Sequence, residues 1–482
     1  MSLAPLIVAV VLSTRQAAPA PRPFWLGLTT GVVYFVGTLY WIGEVMAAHG
    51  DLSPFVAYPL MFGLAVHLGL FVGLFAYLLG RAVRRFGLAG VWLSPVLWVA
   101  SEWTRVWLGW QFPWVVLGSS QAAVVPVVQL ASVTGVYGLS ALLALTATAA
   151  AALALSRKPA HRRGAAIVAV IVVANFAWGT WRVTHGALLK SGNPIRVGLL
   201  QGNVPQEDKQ NPALRDAILD RYVSLSRQAI AGGAQLVLWP EASAPFYFDF
   251  DPNLAEPIRR LAAQARVPFV IGTDDFERGG NGQPDRFYNA AVLVGTDGRS
   301  RATYRKVRLV PFGEYVPFKR LLFFVGPLIE AVSDFTPGQT LTIFESEGSR
   351  FSVAICYEAV YAGMAQEFVA DGSQLLTTIT NDAWFGRSSA AFQHFDQAAL
   401  RAVEQGRYMV RAANTGISGA VDPYGRQLAR STMFEASATV ADVRLLSDRT
   451  IYHAVGDVVV WISLAMAGAV LWMARRPKDK QP

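Results

Sequence analysis

The stretch Ser352–Val360, SVAICYEAV, contains the only cysteine of a 482-residue chain and sets it at the end of a β-like apolar run, directly before Tyr357 and Glu358. A solitary cysteine reads as an inert apolar filler, a metal ligand or a nucleophile. Cysteine-based zinc sites need several thiolates, so the ligand reading fails, and one thiol excludes an intramolecular disulfide. Between filler and nucleophile the choice depends on what the fold brings to that strand end. For an isolated residue the filler is the commoner outcome.

Working outward from Cys356, the surrounding chain alternates β-like runs with amphipathic helical segments. IRVGLLQGNV and AQLVLWPEAS read as buried strands, and between them NPALRDAILDRYVSLSRQAIAGG reads as a helix with Pro near its start and Gly past its end. LAEPIRRLAAQARV reads as a second helix, and YNAAVLVGTDGRSRATYRKV as a hairpin turning at Asp-Gly. After SQLLTTITNDAW, one long helix is expected through AAFQHFDQAALRAVEQGRYMVRAA, followed by strands TGISGAVDPYG and SATVADVRL. This pattern predicts a layered α/β domain over 195–448 with mixed parallel and antiparallel strands. In such domains reactive groups collect beyond strand ends.

The flanks are different. Hydrophobic residues make up 53% of the chain against 16% charged, and the excess lies in 1–184 and 455–474. About 20 apolar residues cross a bilayer. Spans are expected near Phe24–Met46, Pro54–Leu79, Phe86–Ser101, Val124–Leu155, Gly164–Trp181 and Val455–Ala474, with a shorter apolar segment at Ser2–Ser13. The net charge of +9 does not point to nucleic acid, because the basic residues cluster beside apolar runs, in RAVRR, RKPAHRR and the tail 475–482. If the spans alternate, all the clusters fall on one side. The positive-inside rule then places them in the cytoplasm and 195–448 outside.

Three ionisable residues close predicted strands: Glu241 in LVLWPE, Lys306 in ATYRK and Cys356 in SVAIC, separated by 65 and 50 residues. A thiol is a poor nucleophile at neutral pH until a base or cation promotes its thiolate. Glu241 could take that proton, and Lys306 could orient the carboxylate and, with the Tyr357 backbone N–H, stabilise an oxyanion. Singly, Glu241 also reads as a turn cap and Lys306 as a solvated charge. His394 reads as a structural imidazole, Asn414 as a turn support, and Arg401, Glu404, Arg407 and Arg411 as one ion-paired helix face.

The strings LWPE, KVRLVPFGEYVP, ICYE and TNDAWFG, together with QGNVPQ and the apolar flanks, resemble the nitrilase superfamily. More narrowly they resemble its membrane-embedded branch, the apolipoprotein N-acyltransferases. The resemblance covers nearly the whole chain. It implies an α-β-β-α sandwich on the outer side of a multi-span helical membrane domain. It also implies Glu241 as general base, Lys306 as triad lysine and Cys356 as nucleophile, with Glu314, Tyr357 and Glu358 beside them. For Glu358 a salt bridge holding the loop is an equal reading.

The implied reaction moves the sn-1 acyl chain of a phospholipid, typically phosphatidylethanolamine, through a Cys thioester to the α-amine of an S-diacylglyceryl-cysteine apolipoprotein. A monomer in the bacterial inner membrane, with no cofactor and no metal, would perform it. The apolar segment Tyr315–Val332 is expected to serve as an acyl-chain gate at the membrane surface, and WTRVWLGWQFPW as an interfacial aromatic belt. Two departures stand out: the family has a helix before Ser2–Ser13, and Gln210 stands where the family often has Trp. The other readings are a membrane-anchored amidase that uses water as acceptor, and a non-catalytic membrane scaffold.

Overall fold

The computed structural model describes residues 3–15, 21–50, 52–108, 112–209, 211–280, 285–311, 313–315 and 335–475. Gln210, the proposed gate beyond Tyr315 and the basic tail beyond Arg475 lie outside the described residues. The chain divides into two compact units, one of residues 1–44, 53–185 and 450–482, the other of 45–52 and 186–449.

The first unit is helical. It contains α1 (Ala4–Arg15), α2 (Arg22–Leu39), the start of α3 (Trp41–His49), α4 (Pro54–Phe86), α5 (Ser94–Trp107), α6 (Ala131–Leu155) and α7 (Pro159–Thr184), and ends with the helix Val458–Arg475. Among the described residues, three helical stretches are long and apolar enough to cross a membrane, or four if α2 and α3, bent by 50° at Tyr40, count as one. Helices 4–15 and 458–473 are apolar but shorter. On α7, Ile167, Val170 and Val173 are exposed, which suits lipid as the surrounding solvent.

Small residues bring α2 and α4 together. A Cβ on Gly27 would lie 2.4 Å from the Val72 carbonyl oxygen, and one on Gly31 would lie 2.8 Å from the Gly69 Cα. Gly27/Gly31 and Gly69/Gly73 are both four apart, the spacing by which membrane helices approach closely without a hydrophobic driving force. Glu102 is buried and accepts the Leu117 N–H at 2.6 Å, while buried Arg105 donates to the Trp114 carbonyl at 3.0 Å. These two charges fasten the loop after α5. Of the expected aromatic belt, Trp107 is exposed but Trp114 is buried, 5.4 Å from the Trp41 ring.

The second unit is an α-β-β-α sandwich. The first sheet runs β13-β1-β2-β4-β5-β6, with β3 paired to β4; the second runs β12-β11-β10-β9-β8-β7. Their ranges are β1 193–201, β2 236–238, β3 244–247, β4 269–277, β5 286–294, β6 300–305, β7 343–346, β8 349–355, β9 375–380, β10 409–413, β11 419–421, β12 427–430 and β13 437–445. Parallel pairing joins β1 to β2 to β4, and β8 to β9 to β10; the other ladders are antiparallel except β3 with β4. Strands β2, β9 and β10 are buried at every position, as parallel strands covered on both faces must be. Helices α8 (Arg215–Ala231) and α9 (Pro252–Ala265) cover the first sheet around Trp239, Phe269 and Ile271. Helices α10 (Ala362–Ala370) and α11 (Ala390–Gln405) belong to the other layer.

The long helix expected through residue 413 stops early. Gly406 takes a left-handed φ of 62° and caps α11, and the chain then enters β10 at Met409. The four-residue helix face therefore does not exist. Arg401 and Glu404 do pair, at 3.0 Å. Arg407 lies in the turn and donates to the Ser373 carbonyl at 3.0 Å, and Arg411 lies on β10, paired with Asp382 at 2.7 Å.

Candidate active site

Parallel strands that end at one edge of a sandwich bring their following residues together. Glu241 stands three residues past β2, Lys306 directly follows β6, and Cys356 directly follows β8. All three are buried. Two nearby residues adopt left-handed backbone without being glycine, Ala242 at φ 46° and Cys356 itself at φ 53°. Such strain costs about 1–3 kcal/mol each and persists only where the surroundings hold it.

The Lys306 ammonium donates to Glu241 Oε1 at 3.2 Å and to Glu314 Oε1 at 2.8 Å. The Asn289 amide donates to the same two oxygens, at 2.7 and 2.8 Å. Lysine and asparagine thus clamp two carboxylates that would otherwise repel. The second oxygen of Glu241 accepts the Asn381 N–H at 2.9 Å, and that of Glu314 accepts the Val310 N–H at 2.8 Å. Lys209, also buried, donates to the Glu241 carbonyl at 3.2 Å.

The charge states follow. Burial alone would raise the Glu241 carboxyl, but Lys306, Asn289 and Lys209 overcome it and hold the group below its ordinary range, so it is ionised. Burial alone would lower Lys306, but Glu241 and Glu314 overcome it and keep the ammonium charged. Burial, reinforced by the Glu241 charge, pushes the Cys356 thiol well up, against the pull of Lys306 and a hydrogen bond with Thr380. At rest the site holds a neutral thiol, an ionised glutamate and a charged lysine. The cluster thus combines a carboxylate and a neutral thiol that feels its charge, not a preformed thiolate.

Glu358 is buried next to this cluster and forms no salt bridge with any described residue. One oxygen accepts from the Tyr304 hydroxyl at 2.9 Å and from the Val307 and Arg308 N–H groups at 2.7 and 2.9 Å; the other accepts from the Ile355 N–H at 2.8 Å. The carboxyl ties the segment after Lys306 to the strand end before Cys356. Burial raises it to about 7, against the pull of those donors. The Tyr357 ring packs edge-on against Tyr361, with centroids 5.3 Å apart.

Sequence reasoning missed Asn289, Lys209 and Asn381, and gave His394 less than it does. His394 Nε2 lies 3.0 Å from the Cys356 carbonyl oxygen, while its Nδ1 lies 2.9 Å from Arg411 Nη2 and 3.1 Å from Asp382 Oδ1. Burial and Arg411 lower the imidazole, so it is neutral at physiological pH. A neutral ring that donates from Nε2 to a carbonyl must accept at Nδ1, and Arg411 supplies that donor. His394 therefore fixes the peptide of Cys356 rather than its sulfur. Asn414 is a loop support: its side chain bonds both the N–H and the carbonyl of Val204, at 3.0 and 2.7 Å, and reaches Asn381 at 3.0 Å.

The carbon-nitrogen hydrolase family model matches residues 196–449, and the model described as the apolipoprotein N-acyltransferase N-terminal domain matches 1–149. The apolipoprotein N-acyltransferase of Geobacter metallireducens is 35% identical over 99% of this chain and 91% of its own length. The chain belongs to the apolipoprotein N-acyltransferase family. The relative from Methylococcus capsulatus is 33% identical over 99% of the chain and 92% of its own. A solved nitrilase-superfamily amidase from Nesterenkonia aligns with 54% of this chain and 94% of its own, at 22% identity and a TM-score of 0.40. By its curated relatives and its family models the protein is an acyltransferase of the carbon-nitrogen hydrolase superfamily.

Proposed function

We propose that this protein transfers the sn-1 acyl chain of a membrane phospholipid, phosphatidylethanolamine foremost, to the α-amine of an S-diacylglyceryl-cysteine apolipoprotein. The observation that carries the proposal is the buried cluster in which ionised Glu241, clamped by Lys306 and Asn289, stands with the neutral thiol of Cys356. Glu241 takes the thiol proton as sulfur attacks the ester carbonyl. Lys306 and the Tyr357 N–H hold the oxyanion, and the lysophospholipid leaves with the proton that Glu241 returns. The acceptor amine then attacks the thioester and gives its proton to Glu241, and the intermediate collapses to an amide and a free thiol. A thioester suits the sequence because it is reactive enough to acylate an amine without ATP. Glu314 positions Lys306.

In this reading the basic clusters lie in the cytoplasm, the sandwich lies on the outer face of the inner membrane, and the protein acts as a monomer. The test supplies phospholipid labelled in the sn-1 chain and then a diacylglyceryl-cysteinyl peptide. A hydroxylamine-labile adduct that needs Cys356 and passes its label to the peptide amine supports the proposal. Label released only as free fatty acid would make the protein a hydrolase.

A further inference from the structure

One carboxylate near the Glu241–Lys306 cluster has no partner among the described residues. Asp274 lies on β4, where its Cα pairs across the ladder with that of Asn289. Cross-strand neighbours point to the same face, and the Asn289 amide points at Glu241 and Glu314. Two residues earlier on the same face, a Cβ on Gly272 would meet the Pro240 carbonyl oxygen at 2.1 Å and the Glu241 Cα at 2.8 Å. Glycine there lets β4 press against the Glu241 turn, and Asp274 follows next along that face. The Asp274 carboxylate feels the charges of Glu241, Glu314 and Lys209, yet accepts no hydrogen bond from any described residue.

The described charges around this cluster are also unequal. Glu241, Glu314 and Asp274 face two ammonium groups, Lys306 and Lys209, and Lys306 is already shared between the two glutamates. Burial and the neighbouring carboxylates raise Asp274 only to about 6, so it is mostly ionised at neutral pH. Glu358 and Asp382 are satisfied by their own donors. Among the described residues the site is short of one cation, and the carboxylate that lacks a donor is Asp274.

We infer that Asp274 seats a primary ammonium group of a substrate at the mouth of the Glu241–Lys306–Cys356 cluster. This rests on the proposed acyl transfer, and there both substrates carry such a group: the ethanolamine headgroup of the donor and the α-ammonium of the acceptor. An ammonium donates three hydrogen bonds and brings the missing charge, and a charge-assisted bond to a part-buried carboxylate is stronger than a neutral one. Bound there, the acceptor α-ammonium would lie beside Glu241, the base that must remove a proton before the nitrogen attacks.

The experiment separates the two half-reactions of the full-length protein in phospholipid vesicles, comparing wild type, Asp274→Asn and Asp274→Glu. Thioester formation on Cys356 is timed with phosphatidylethanolamine and with phosphatidylglycerol, which has the same chains but no ammonium. The preformed thioester is then discharged either with a diacylglyceryl-cysteinyl peptide or with hydroxylamine, a neutral nucleophile. If the donor uses the seat, Asp274→Asn lowers the ethanolamine-to-glycerol rate ratio by about tenfold or more; if the acceptor uses it, the peptide-to-hydroxylamine ratio falls by as much. In either case Asp274→Glu recovers part of the lost ratio. The inference is overturned if Asp274→Asn leaves both ratios at the wild-type value, whether or not the absolute rates fall. A wild-type protein that forms no thioester at all would instead overturn the acyl-transfer reading itself.

Discussion

Glu358→Gln separates holding the site from doing chemistry in it. The carboxyl receives four donors: Tyr304, Val307 and Arg308 on one oxygen, and Ile355 on the other. A glutamine that keeps its oxygen on the crowded side preserves three of these bonds and turns an N–H toward the Ile355 N–H. That leaves two buried donors without an acceptor, the Ile355 N–H and the glutamine N–H, each costing about 1–3 kcal/mol. In a domain of this size ~1 kcal/mol moves the melting temperature by ~2–4 °C, so the variant should melt about 4–24 °C lower. Glu358→Ala leaves all four donors unpaired and costs about twice as much, a large share of the ~5–15 kcal/mol that holds a typical domain together.

The pH dependence has a definite sign. The folded carboxyl sits near 7, above its ordinary 4.5, so its contribution is fullest below pH 4.5 and is lost as pH rises through 7. Relative to the glutamine variant, wild type should therefore be most stable at low pH, and the gap should narrow across that window. Thermal melts in detergent from pH 4.5 to 8, run beside thioester formation, read both effects. An Glu358→Gln protein that melts like wild type but forms no thioester would refute the holding role and make Glu358 a chemical participant.

Three other perturbations follow from the same geometry. Lys306→Met strands Glu241 and Glu314 as unpaired buried carboxylates, which should cost about 3–5 kcal/mol and abolish thioester formation; a stable variant that still forms thioester would contradict the clamp. His394→Ala frees the Cys356 carbonyl while Asp382 and Arg411 stay paired, so kcat should fall about tenfold with the donor KM retained, and a change in KM alone would refute the positioning role. Gly31→Leu drives a side chain into Gly69 and Val72 on α4; the helical unit should become more sensitive to proteolysis, and unchanged resistance would refute the close α2–α4 approach.

The sandwich was legible because its central strands are continuous apolar runs, and because Gly232 follows α8 and Pro252 opens α9. Glu241, Lys306 and Cys356 stood out as ionisable residues just past predicted strands. The remaining parts were harder for a physical reason. Asn289, Asn381 and Asp274 are single polar residues in or beside apolar strands, and only the pairing of β4 with β5 and the meeting of the sheets give them a place. Glu358 read equally as support for the site or as half of a salt bridge; its described partners are the Tyr304 hydroxyl and three backbone N–H groups, which a sequence does not advertise. The overrun of α11 had a visible signal: Gly406 stands where a left-handed cap ends a helix, and the helical spacing of Arg407 and Arg411 concealed it. The kinship with apolipoprotein N-acyltransferases, by contrast, lies in long motifs that do not depend on any one contact.

The central claim is that sulfur of Cys356 carries the acyl chain between two lipids. The direct measurement is peptide mass spectrometry of the protein after incubation with phospholipid in the absence of acceptor. The account predicts one acyl mass on the peptide that contains Cys356, removed by hydroxylamine and absent from Glu241→Gln. An acyl group on any other residue, or full transfer to acceptor by a Cys356→Ala protein, would contradict it.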